Sequence, residues 1–138
     1  MTSERVLGAA VAIAVLAAVA AGLWMIGSPG DARRLRLDDR RVNDLRSIAT
    51  SVDVLWSRQQ ALPVSLDDLP PAVGATALVD PVSGQRYEYR VIDAGTYELC
   101  ATFEAEGQPV MYGYDEAFWR HGAGRHCFRL TPKEIKRS

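Results

Sequence analysis

The side chains best suited to chemistry are two cysteines and two histidines, and three of these four stand close together near the end of the chain. His121, His126 and Cys127 fall in the run His-Gly-Ala-Gly-Arg-His-Cys. Its glycines allow tight curvature, so the three could converge on a metal ion. No fourth ligand stands beside them, and Cys127 has a competing use. Pairing with Cys100 would close a loop of about 27 residues, worth roughly 3 to 4 kcal/mol on the chain-entropy model. There is no C-x-x-C pair, and Cys100 falls inside a strand pattern rather than at a helix N-terminus, where a thiolate would be favoured. The reading is a structural Cys100–Cys127 disulfide. His121 and His126 are left as minor metal candidates, and no cofactor is expected.

Carboxylates are the other source of chemistry. Asp67, Asp68, Glu104, Glu106, Asp115 and Glu116 supply hard oxygen ligands, but without the regular acidic rhythm of a calcium loop. Glu88 and Glu98 fall on one face of a hairpin and could mimic an acid/base pair. If Ile92 and Thr96 flank the turn, Glu98 stands opposite Arg90 and only diagonal to Glu88, which is charge matching. The sequence carries no nucleophile elbow, phosphate loop, zinc-protease helix or haem-attachment motif. No enzyme is expected.

Positioning these residues requires a sheet and something to cover it. Tyr87, Tyr89 and Val91 alternate with Arg86, Glu88 and Arg90, and Tyr97, Leu99, Ala101 and Phe103 alternate with Glu98, Cys100 and Thr102. With the Asp93-Ala94-Gly95 turn between them, these are two antiparallel strands sharing an apolar face. Val110–Tyr114 and Cys127–Leu130 are further strand candidates. Upstream, Val42, Leu45, Ile48 or Ala49, Val52, and Leu55 or Trp56 recur at helical spacing. Arg40, Asp44, Arg46, Ser47, Asp53 and Ser57 face away. Leu62-Pro63 closes that helix, and Ser65 is the candidate cap of a short helical turn. Asp80-Pro81-Val82-Ser83-Gly84 is a turn. The helix stripe and the strand face are expected to bury each other.

The first part of the chain has a different character. Val6–Ile26 holds no charged residue and as a helix would span roughly 31 Å, about the thickness of a bilayer core. Trp24 would sit at the headgroup level. A retained anchor is favoured over a cleaved signal peptide, because cleavage around Ala18–Gly22 would leave Gly-Leu-Trp-Met-Ile-Gly as an apolar N-terminus. Gly27-Ser28-Pro29-Gly30 would end or kink the helix. Arg33, Arg34, Arg36, Arg40 and Arg41 follow it against Arg5 alone before it, which favours a cytoplasmic domain. The cysteine pair favours an oxidising compartment, and the reading taken is a periplasmic domain. The net charge of −1, from 16 basic and 17 acidic residues, gives no field for nucleic acid.

Leu62-Pro63-Val64-Ser65-Leu66 with Leu69, then Asp80-Pro81-Val82-Ser83-Gly84 before Tyr87-Glu88-Tyr89, resembles the type IV pilin and type II secretion pseudopilin pattern. Tyr97–Phe103 (Tyr-Glu-Leu-Cys-Ala-Thr-Phe) and Trp119–Phe128 also look like small single-anchor bacterial membrane proteins of unknown function. The pilin resemblance implies an α+β fold, with an N-terminal transmembrane helix and an amphipathic helix packed on a small antiparallel sheet. A pilin-type Glu inside the apolar run is lacking, so the resemblance bears on fold more than on assembly.

The expected organisation is an anchor over residues 1–27, a charged linker over 28–41, a periplasmic α+β domain over 42–130 and a polar tail over 131–138. The function expected is that of an extracytoplasmic, pilin-like structural or interaction module in the bacterial inner membrane. A periplasmic ligand- or metal-binding module is the alternative. Expected partners are the lipid bilayer, through Val6 to Ile26, and proteins of the envelope.

Overall fold

The computed structural model describes residues 2–70, 75–107 and 117–133. The chain divides into two compact units, Met1–Arg33 and Arg34–Ser138. In the first, helix α1 (Thr2–Ile26) leaves its large apolar side chains in the open, Leu7, Ile13, Leu16, Leu23 and Trp24 among them. A helix apolar on every side has no core to face. It lies near the N-terminus and is long and apolar enough to span a membrane.

The expected break falls at Gly27, whose φ of 78° ends α1 in the left-handed region that glycine enters without penalty. Ser28 then caps helix α2 (Pro29–Gln59). Its hydroxyl and its carbonyl both accept from the Asp31 amide, and Pro29 takes the first helical position. Helix α2 therefore starts well before the apolar stripe. The stretch expected as a charged linker, 28–41, is helical from Pro29, and Asp38 and Arg41 within it are buried. Apolar periodicity could not find this turn, because ion pairing rather than hydrophobicity buries it. Further along, Leu45, Ile48, Ala49, Val52 and Leu55 form the expected buried stripe. The helix ends at Gln60, in the left-handed region at φ 52°, two residues before Leu62-Pro63.

The short 3-10 turn Leu66–Asp68 starts at Ser65 as expected. Its hydroxyl accepts from the Asp67 amide at 3.1 Å, while Asp68 accepts the Ser65 amide at 2.9 Å. Strands β1 (Glu88–Asp93), β2 (Thr96–Phe103) and β3 (Gly124–Leu130) form one antiparallel sheet in the order β1-β2-β3. This is an α+β arrangement. Tyr97, Leu99, Ala101, Phe103 and Phe128 from the inner sheet face join the α2 stripe, Leu66, Leu69, Tyr87 and Trp119 in one core.

The register pairs Arg90 with Glu98, as the hairpin reading requires. The strand ends at Asp93 opposite Thr96, with an irregularity between Val91 and Asp93. Val91, expected on the buried face, is 42% exposed although its partner Tyr97 is buried, since β1 is the edge strand of the sheet. The strand candidate Val110–Tyr114 lies outside the described residues.

Candidate functional site

The predicted cysteine pair comes together across β2 and β3. Cys100 and Cys127 are directly opposed in the register, their Cα atoms 4.0 Å apart, and their sulfurs are bonded at 2.07 Å. They lie on the outer sheet face with Glu88, Arg90, Glu98, Arg125 and Arg129. There Arg90 and Arg129 both donate to Glu98, at 2.6 and 3.0 Å, and Arg125 donates to Glu88 at 2.6 Å. Arg125 also reaches Cys100 Sγ at 3.6 Å. These arginines hold the Glu98 and Glu88 carboxyls below the usual range through their hydrogen bonds. Glu98 and Cys100 are buried on a face that alternation marks as polar, because long arginine stems cover flat sheet well.

Donor atoms of Glu98, Cys100 and Cys127 lie within 4.8 Å of one another, a metal-like grouping. Its chemistry does not suit a cation: both sulfurs are spent on each other, and Glu98 is held by two arginines. His126 and Cys127 are neighbours in one strand, so they project to opposite faces and cannot share an ion. The His126 ring lies 4.7 Å from that of Phe128. His121 is buried, its ring stacked on Phe103 at 3.6 Å, and its carbonyl accepts from Gly107 at 2.9 Å. Among the carboxylates, Asp67 pairs with Arg86, Asp68 caps Ser65 and Glu104 meets Arg41. Asp115 and Glu116 lie outside the described residues.

Two features escaped the sequence reading. The first is a buried ionic clasp. Asp38, 2% exposed, accepts from Arg41 at 2.6 Å, from the Glu104 amide at 3.0 Å and from the Ala105 amide at 2.8 Å. Arg41 also bonds Asp80, whose other contacts are the Val82 and Ser83 amides of the Asp-Pro-Val-Ser-Gly turn. Burial pushes the Asp80 carboxyl up, but the hydrogen bonds from Arg41, Ser83 and Val82 outweigh it and hold the pKa at about 2. The clasp ties α2 to the turn and to the end of β2.

The second is a cleft of about 690 Å³ between α2 and the segment after β3, within the size range of small-molecule sites. Arg46, Ala49, Thr50 and Asp53 line it from the helix, and Leu130, Thr131 and Lys133 from the chain leaving the sheet. Tyr97, Phe118, Trp119 and Arg129 complete it. Arg129 is committed to Glu98, and Asp53 accepts the Lys133 amide at 2.8 Å. Burial raises the Asp53 carboxyl, with that amide and the Lys133 charge opposing. Arg46 stands over Trp119 at 5.8 Å, and its Nε is buried with no hydrogen-bond acceptor among the described residues. The helical spacing of apolar residues on α2 places Arg46 and Asp53 on the side facing away from the stripe. Both are half-buried instead, because the segment around Trp119 and the chain after β3 cover that flank.

Compared with known families, curated proteins and solved structures, the chain matches none: no family model fits it, and neither of the other two comparisons found a match.

Proposed function

We propose that this chain is a single-anchor protein of the bacterial inner membrane whose α+β domain serves, without catalysis, as an extracytoplasmic interaction module. The observation that carries the reading is the contrast between α1, apolar and exposed along its length, and a domain with its own closed core. The first needs a bilayer and the second does not. A disulfide in so small a domain supports the oxidising side of the membrane. The order of apolar helix, long amphipathic helix and antiparallel sheet resembles the order of parts in pilin-like subunits, and this resemblance supports a structural role in the envelope. The break at Gly27 and Ser28 sets it apart from a subunit built on one unbroken stalk helix.

A second reading, that the domain binds a ligand, is favoured by the cleft beside Arg46. The anchored, periplasmic reading is tested by fusing alkaline phosphatase after Ser138 and washing the membranes with carbonate. An active fusion that stays with the membrane pellet is expected. An inactive fusion, or release by carbonate, overturns it. Metal analysis of the purified chain adds a further arm, since a stoichiometric ion would favour metal binding instead.

A further inference from the structure

The charges around the cleft between α2 and the chain after β3 do not balance. Arg129 is bonded to Glu98, which it shares with Arg90, and Asp53 is matched by the amide and the charge of Lys133. Arg46 is left with a ring beneath it and a buried N–H lacking an acceptor among the described residues. A guanidinium fits a carboxylate through two parallel hydrogen bonds, which its two terminal nitrogens can supply while the enclosed Nε stays out of reach. Tyr97, Phe118 and Trp119 add an aromatic part to the lining, beside Ala49, Leu130 and two threonines. Trp119 is buried and Phe118 stands perpendicular to it at 5.3 Å, yet Phe118 is 45% exposed. An exposed ring at the lip of a cleft offers stacking surface for a flat partner.

We propose that this cleft binds a small planar aromatic carboxylate, its acid group on Arg46 and its ring against Phe118. The proposal rests on the reading of the domain as a ligand-binding module. It commits to a small molecule because the cleft volume is of that class. The carboxylate supplies the ion-pair partner that Arg46, which lines the cleft, lacks among the described residues. The ring covers apolar surface that Phe118 otherwise leaves in water.

The test uses the full chain in detergent micelles, with 2-naphthoate as probe and 2-naphthamide as its uncharged counterpart, followed by ligand-detected NMR. Wild type is expected to bind the carboxylate at least about tenfold more tightly than the amide. Arg46→Gln should erase that preference and leave the amide's affinity in place. Phe118→Ala should weaken both probes, and because Phe118 is half exposed it tests the site even if the Arg46 variant fails to fold. Arg58→Gln, on the same helix but outside the cleft, should match wild type. Equal affinity for the two probes in wild type would overturn the ligand class while leaving a binding cleft. Signals no stronger than with empty micelles would overturn the cleft as a ligand site altogether. Wild-type affinity in Phe118→Ala would overturn the placement of the ring.

Discussion

Asp38 and Arg41, one turn apart on α2, bond each other at 2.6 Å in a place where both are almost wholly buried. Two charges can be taken out of water together only if their remaining hydrogen-bonding capacity is also met. Here the Glu104 and Ala105 amides complete Asp38, while Asp80 and Glu104 complete Arg41. Asp38→Ala should therefore destabilise by about 3 to 5 kcal/mol, since it leaves Arg41 buried without one partner and two amides without an acceptor. Asp38→Asn keeps an acceptor and should cost less. Urea unfolding of the full chain in micelles measures both. Near-equal stability of Asp38→Ala and wild type would show that the clasp is not closed in solution.

The Asp80 carboxyl gives the clasp a pH signature. Its folded pKa of about 2 lies below the ordinary value of 3.8, so it contributes stability above that ordinary value. That contribution is lost as pH falls toward the folded value, the window being pH 4 to 2. A shift of this size corresponds to roughly 2 kcal/mol. Asp80→Asn should be less stable at neutral pH and should flatten the stability profile in that window. An unchanged acid limb in the variant would assign the acid sensitivity to other carboxylates.

The core makes a simpler demand. Leu45 and Ile48 are fully buried on the stripe of α2 that faces Leu99 and Phe128. Leu45→Ala should cost about 2 to 5 kcal/mol, the lost transfer energy plus the cavity. Leu45→Asp and Ile48→Asp should each be more damaging, since a carboxylate there finds no donor to pair with. Thermal unfolding by circular dichroism decides it, and normal midpoints would mean that the wrong face of α2 had been assigned to the core.

What could be read from residue order is what local periodicity encodes. The 3.6-residue stripe from Val42 to Leu55, the two-residue alternation through Tyr97 and Phe103, and the turn at Asp93-Ala94-Gly95 all lead to the observed elements. The Ser65 cap and the Arg90–Glu98 pairing follow from the same local rules. Asp38 and Arg41 look like solvated helix charges until residues 39 to 67 positions away close over them. Arg46 has the same history: its environment is set by Trp119 and by the cleft it shares with the chain after β3. Sequence order marks which residues carry charge, but burial of a charge is decided by distant segments. The cysteines were legible for the opposite reason, because with only two in the chain the pairing has one solution.

That pairing carries the last prediction, in which topology and covalent structure are tested together. The bond joins directly opposed residues of β2 and β3 and closes 27 residues of chain, so in the unfolded state it removes a large set of conformations. The stabilisation expected is about 3 to 4 kcal/mol. Cys100→Ser and Cys127→Ser should lose similar amounts, and the double variant should be no worse than either, because a single bond is lost in every case. In protein taken from cells, denatured without reductant, both thiols should be closed to alkylating reagents and should open only after reduction. Free thiols in that sample would place the domain in a reducing compartment, as the arginines from Arg33 to Arg41 would have it. The periplasmic assignment would then fall, while the α+β core, which closes through Leu45, Leu99 and Phe128, would stand without the bond.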